Sequence, residues 1–258
     1  MKKKIILIAE GGVNHNGKFE IAKKLINIAA KGGADYIKFQ TYHLDEMIVE
    51  NAPLADYQKK KNLVKSQYEM LKKYDLKRSL YPKLISHCKK KKIKFISSPF
   101  DIKSILFLKE LKIKIIKIPS GEITNIPYLK VLGKTSLKII LSTGMSTIEE
   151  IKNALSILIK AGAKRSNITI MHCISEYPTR YQDVNLRNII TIKENFGGNV
   201  GFSDHTQDNL SSILAVGMGV SVIEKHITFS NKAKGPDHVA SLNPKNFSKF
   251  VQDVRNAG

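Results

Sequence analysis

Two histidines stand at matching places near the end of the sequence, His205 in GFSDHT and His226 in VIEKHITF. Each follows a short apolar run, so each imidazole would be carried at a strand end. Two neutral imidazoles with open remaining positions suit a catalytic divalent ion of the manganese or zinc kind. The competing reading is a pair of packed, hydrogen-bonded histidines, because two ligands without a third make a weak site by spacing alone. Lys38 and Lys117 raise a similar question, since each lies at or near the end of an otherwise apolar run, where a solvated lysine belongs on a helix instead. With Ser98, Ser120, Ser142 and Ser203 they compose an anion cradle of the type a phosphate or carboxylate requires, ammonium charge plus fixed hydroxyl and backbone donors. Some of these serines read equally well as helix caps. Glu10 and Glu122 bring carboxylates to turn-like sequence, fit for binding a polyol hydroxyl, for general acid or base work, or for orienting a lysine. Asp237 and His238 belong to KGPDHVAS, a Gly-Pro loop that reads as a plain turn as well as a site.

These residues act together only if the chain brings them to one rim. Short β-branched runs at 5–9, 36–39, 93–97, 113–118, 138–141, 168–171, 200–202 and 220–223 read as strands buried on both faces. Amphipathic helical patterns follow them at 19–30, 79–91, 102–111, 126–133, 148–161, 186–195, 209–217 and 245–254. Eight such units predict an α/β fold, a single (β/α)8 TIM barrel over residues 1–258, with the active face at the C-terminal ends of the strands. A doubly wound open sheet is the alternative, but no GxGxxG follows the first strand. The strand ends read AEGGVNHNG, IKFQTY, ISSPFD, IKIPSGE, LSTGM, MHCISEYP, GFSDHT and IEKHITF, and every one carries polar or small residues. The longest irregular stretch, 41–65, is expected to be a lid, a substrate loop or an interface arm.

Composition bounds the function classes. The chain has 258 residues and a formal charge of +21, from 43 Lys and Arg against 22 Asp and Glu. The excess first suggests nucleic acid or a membrane surface, but the lysines alternate with Ile and Leu in stretches such as CKKKKIK, and no nucleic-acid motif accompanies them. They read as solvated helix faces whose field helps to gather an anionic substrate. The two cysteines, Cys88 and Cys173, lack a CxxC spacing and fit a reducing compartment. The apolar run in MKKKIILIAEGG is too short for a secretory signal, and no run is long enough to span a membrane, so a cytoplasmic protein is expected, with neither nucleic acid nor membrane as partner.

Taken in order, AEGGVNHNG, KFQTY, SSPFD, KIPSGEITNIPYLK, STGM, HCISEYPT, GFSDHT and IEKHITF with GPDHVASL resemble the sialic acid synthase family along the whole chain. That resemblance implies a (β/α)8 barrel condensing phosphoenolpyruvate with N-acetylmannosamine or a related acetamido sugar, to give a nine-carbon acid and phosphate. It implies that Lys38, Lys117, Ser98, Ser120, Ser142 and Ser203 bind phosphoenolpyruvate, with Gln40 among the substrate contacts. His205 and His226 would be the metal ligands, usually for manganese, with magnesium or cobalt as alternatives. Glu10 and Asp237 would contact sugar hydroxyls, Tyr177 would line the site, and Glu122 would stand beside the reacting carbons and help to deprotonate water.

Members of the family generally continue into a small antifreeze-like domain that completes the sugar site of a swapped homodimer. This sequence stops at VQDVRNAG, so the barrel is expected without that domain, which leaves sugar affinity and dimer architecture open. The motifs lie close to both N-acetylneuraminate and N,N′-diacetyllegionaminate synthases. A metal-dependent sugar isomerase on the same barrel would need more carboxylate ligands and no strand-end lysines. A ligand-binding barrel without catalysis would have no use for the two histidines.

Overall fold

The computed structural model describes residues 5–53 and 66–258. Eight parallel strands close into a barrel in sequence order: β1 (Ile6–Gly12), β2 (Tyr36–Thr41), β3 (Lys94–Pro99), β4 (Ile115–Ile118), β5 (Lys138–Ser142), β6 (Ile168–Cys173), β7 (Asn199–Asp204) and β8 (Val222–His226). The helices are α1 (Phe19–Gly32), α2 (Leu44–Met47), α3 (Gln67–Tyr74), α4 (Tyr81–Lys90), α5 (Ile102–Glu110), α6 (Ile126–Gly133), α7 (Ile148–Lys160), α8 (Arg187–Phe196), α9 (Leu210–Gly217) and α10 (Pro244–Ala257). The (β/α)8 fold expected from the sequence is the fold found. Each expected strand is present, most of them extended by one to three residues into the polar segment that follows.

The helices form where sequence and capping agree. In α7, Thr147 and Glu150 make a reciprocal capping box, and Ile151, Ala154, Leu155 and Leu158 form the buried stripe. In α10, Asn243 caps the first turn, Pro244 opens the helix, and Phe247, Phe250, Val251 and Val254 turn inward. This last helix packs between α9 and α1 and closes the outer ring.

Alternation along the strands sorts the side chains into two cores. Leu7, Ile37, Ile116, Leu141, Ile170, Phe202 and Ile223 point outward into the layer between sheet and helices. Ile8, Ile96, Ile140, Met171 and Val222 point inward and fill the lower barrel, with Ile6, Tyr36 and Ile115 packed against them. Two residues further along the same faces the chemistry changes: Ile8 is followed by Glu10, Tyr36 by Lys38, Ile96 by Ser98, Ile115 by Lys117, Ile140 by Ser142 and Val222 by Glu224. The upper layer of the barrel interior is therefore polar, on a plug of aliphatic side chains.

The long connection after β2 carries α2 and α3. Tyr42, Met70 and Leu71 form a small apolar cluster of their own there, joined by Met47, Tyr74 and Phe100. The central part of the stretch expected to act as a lid, substrate loop or arm, residues 54–65, lies outside the described residues. Among those described, no helix is long and apolar enough to cross a membrane.

Candidate active site

A cavity of about 620 Å³ opens at the C-terminal rim of the barrel, above the aliphatic plug. Its floor is a buried charge cluster. Lys38, on β2, lies beside Glu10 in the β1–β2 register, with Nζ to Oε2 at 3.1 Å, and its Nζ donates to Ser98 Oγ at 3.0 Å. Glu224, on β8, stands between the two lysines. Its Oε1 is 2.5 Å from Lys117 Nζ, its Oε2 is 3.5 Å from Lys38 Nζ, and Ser203 Oγ donates to Oε1 at 2.9 Å. All four charged side chains are buried.

Burial and proximity decide the charge states. Burial pushes the Glu224 carboxyl up, but the ammonium groups of Lys117 and Lys38 reverse this and hold it below the ordinary value, so it is ionised. For Glu10 burial dominates, only partly offset by Lys38, and the charge of Glu224 adds to it; its pKa is raised to about 7. Burial alone would lower Lys38, yet the two carboxylates keep it above its usual value. Lys38 and Lys117 thus face one ionised carboxylate and one carboxyl poised to take up a proton, and positive charge is in excess whenever Glu10 is protonated. Such a site attracts an anion.

Around this floor stand hydroxyls and imidazoles. Ser142 Oγ is buried without a hydrogen-bond partner among the described residues. Ser120 Oγ accepts from the Gly144 backbone N–H at 3.0 Å and lies 3.3 Å from Cys173 Sγ. The rings of His205 and His226 are 5.4 Å apart between centroids, and Tyr177 lies over His205 at 4.1 Å and edge-on to His226 at 5.5 Å. His205 Nδ1–H donates to the Ile174 carbonyl at 2.6 Å, so its Nε2 carries the lone pair, 3.1 Å from Ser203 Oγ. Because the Ser203 proton serves Glu224, that lone pair is left available. His226 Nδ1 is buried with no partner among the described residues. Burial lowers both imidazoles, His205 to about 4 and His226 further, so both are neutral at pH 7.

Neutral rings with available lone pairs fit a divalent ion held by two imidazoles with open positions for other ligands. Among the described residues, no group of three His, Cys, Asp or Glu side chains is placed to hold an ion by itself. Gly12 lies close to this donor set. A Cβ there would lie 3.3 Å from Glu10 Oε1, 3.4 Å from Asp237 Oδ2 and 3.8 Å from His226 Cε1, and its φ of +48° favours glycine.

Of the residues singled out in the sequence, Glu10, Lys38, Gln40, Ser98, Lys117, Ser120, Ser142, Tyr177, Ser203, His205, His226 and Asp237 all line this cavity. Glu122, one residue beyond the lining residues Ser120 and Gly121, is not among them. It ends the 3-10 turn Ser120–Glu122, where each residue turns about a third of a circle from the last. Ser120 and Gly121 therefore face the cavity, whereas the Glu122 carboxylate accepts from Asn125 Nδ2 at 2.7 Å. His238 is buried behind the rim, bonded to Thr228 Oγ1 and facing Asn16 Oδ1. Glu224 is the main residue that the sequence reading passed over. The signal was a carboxylate inside an apolar run, two positions before His226 and so on the same face.

A closed parallel barrel with a polar upper layer and a charged, imidazole-bearing rim is the architecture of a barrel enzyme with an anion site. The chain belongs to the NeuB family, the sialic acid synthases, whose sequence profile matches residues 25–258. It is 48% identical over 254 residues to the N,N′-diacetyllegionaminic acid synthase of Campylobacter jejuni, covering 98% of this chain and 76% of that protein. The synthase of the same name from Legionella pneumophila is 42% identical, with 97% of this chain and 71% of that one covered. Among solved structures, the N-acetylneuraminic acid synthetase of Leptospira borgpetersenii superposes with a TM-score of 0.88 at 33% identity, covering 98% of this chain and 84% of that chain.

Proposed function

We propose that this barrel condenses phosphoenolpyruvate with N-acetylmannosamine or a related acetamido sugar, forming a carbon–carbon bond and releasing phosphate. The observation that carries the reading is the buried floor built by Lys38 and Lys117 with Ser98, Ser142 and Ser203 around it, where positive charge is in excess whenever Glu10 is protonated. Phosphoenolpyruvate carries a phosphate and a carboxylate on adjacent small groups, and the two ammonium groups with their hydroxyls match that double charge.

The steps follow from the charge states. The enol carbon of phosphoenolpyruvate attacks the open-chain sugar aldehyde, and the aldehyde oxygen takes a proton. Glu10, with a pKa near 7 and placed in the cavity floor beside Lys38, is the group suited to give it. Water then adds at the carbon that bears the phosphate, and the proton it loses passes to the departing phosphate, which leaves the His205 Nε2 lone pair free to hold a metal. The phosphate leaves with cleavage of its bond to that carbon, and a keto acid remains. Entry of the anionic substrate would raise Glu10 further and keep it protonated until attack. A divalent ion, manganese in the first instance, bound at His205 and His226 would supply Lewis-acid polarisation of the aldehyde oxygen. Tyr177 caps His205 and narrows the access of bulk water.

The test is phosphate release by the purified chain with manganese and phosphoenolpyruvate, in parallel with N-acetylmannosamine, with 2,4-diacetamido-2,4,6-trideoxymannose and without sugar. Sugar-dependent release establishes the condensation, and the sugar that supports it is the substrate, since the motifs suit either. Release that does not depend on any sugar, or activity that persists in excess chelator, would sink the reading as stated.

A further inference from the structure

Behind the two imidazoles, on the outer side of the barrel wall, lies a second buried ion pair that does not line the cavity. Asp204 and Lys225 stand opposite one another in the β7–β8 register, as Ser203 and Glu224 do one step earlier. Alternation turns Ser203 and Glu224 inward, Asp204 and Lys225 outward, and His205 and His226 back toward the cavity. Lys225 Nζ is 3.0 Å from Asp204 Oδ2, with the two side chains 1% and 0% exposed. We propose that the Asp204–Lys225 pair is a positioning device for the two imidazoles, locking β7 against β8 in register and bracketing the segment that carries His205.

The hydrogen bonds converge on that segment. Asp204 Oδ1 accepts from the Thr206 backbone N–H at 2.8 Å and from its hydroxyl at 2.7 Å, and Oδ2 accepts from Ser212 Oγ on α9 at 2.6 Å. Lys225 Nζ donates to the Thr206 carbonyl at 2.7 Å and lies 5.7 Å from the Phe250 ring on α10. The residues on both sides of His205 are thus tied to the residue just before His226. The His205 Nδ1–H bond to Ile174 depends on the same segment, and it is this bond that directs the Nε2 lone pair to the cavity.

Stability alone does not explain the pair. Removing two charges from water costs several kcal/mol per ion, and a well-packed apolar pair of similar volume commonly holds a protein as well or better. What charge adds is a single register. A one-residue slip of β8 would turn Lys225 into the cavity and His226 into the helix layer. An apolar pair penalises that slip weakly, whereas a buried charge left without its partner penalises it strongly.

The inference rests on the assignment of His205 and His226 as a functional pair and not on the reaction or the sugar. Its test uses the full chain and compares Lys225→Met, which keeps the packing stem, with Arg255→Met, which breaks the Arg255–Asp35 pair on α10 away from the cavity. Three quantities are measured: the manganese dissociation constant, the imidazole tautomers in long-range proton–nitrogen spectra of the metal-free chain, and the melting temperature. Lys225→Met should weaken manganese about ten-fold or more and remove the single Nδ1–H tautomer of His205, while Arg255→Met lowers the melting temperature and changes neither. A Lys225→Met chain altered only in melting temperature overturns the proposal. Should that variant not fold, Thr206→Val, which removes one hydroxyl donor to Asp204 at nearly constant volume, is read by the same criteria. Should the unaltered chain bind no manganese, the metal assignment fails separately and the His205 tautomer decides.

Discussion

Lys117 and Glu224 meet inside the barrel, Nζ to Oε1 at 2.5 Å, although they belong to β4 and β8, strands on opposite sides of the ring. Lys117→Met removes the nearer of the two cations that keep Glu224 ionised. Breaking a buried pair in this way costs about 3–5 kcal/mol, so a lower denaturation midpoint is expected. Phosphoenolpyruvate binding should be lost in calorimetry at the same time, and a folded variant that still binds it normally would remove the cradle from the argument.

The raised Glu10 carboxyl makes a pH prediction whose sign is the reverse of the usual acidic case. A carboxyl with a folded pKa of about 7 against a model value of 4.5 disfavours the folded state once it must ionise. Its penalty is absent below pH 4.5, grows through the interval and is complete above 7. Glu10→Gln should therefore gain in melting temperature relative to the unaltered chain as pH rises from about 5 to about 8. Parallel curves at all pH values would mean that Glu10 titrates normally. Phosphate release by the variant should fall by roughly 10²-fold or more, in line with the loss of a general acid.

Gly144 tests the crowding of the anion cradle. A Cβ at this position would meet Ser175 Oγ at 2.4 Å, Ser120 Oγ at 2.9 Å and Cys173 Sγ at 3.0 Å. Gly144→Ala must displace Ser120, whose hydroxyl accepts from the Gly144 N–H. A rise in the KM for phosphoenolpyruvate of about ten-fold, equivalent to one lost hydrogen bond of about 1.4 kcal/mol, is expected with kcat less affected. Steady-state kinetics at saturating sugar separate the two.

Neutral imidazoles predict how manganese binding responds to acid. An ordinary histidine begins to compete with the metal for protons near pH 6.5, whereas His205 is lowered by burial to about 4. Manganese affinity should stay flat between about pH 7 and 6, and His226→Gln should abolish it; calorimetry at the two pH values reads both. The linked effect on stability runs the other way from that of Glu10. The unfolded histidines take up protons below 6.5 and the folded ones do not, so this contribution is present above 6.5 and is lost as pH falls toward about 4.

The barrel and nearly all of its rim were legible in the sequence, because strands buried on both faces read as continuous apolar runs and the polar groups stand directly after them. Lys38 and Lys117 were visible for the same reason, as charges where a two-faced strand has no solvent. Glu224 was not, because a carboxylate in VIEKH gains meaning only when the closed ring brings β8 opposite β4 and near β2. The placement of Glu122 was likewise decided by a three-residue turn, whose rotation separates Ser120 from its neighbour two positions on. The sequence by itself determined the order of strands and helices and which residues reach the rim, since these depend on local period and burial. Only the tertiary structure decided which charges pair and which protons are held, since buried electrostatics depends on distances between residues remote in the chain.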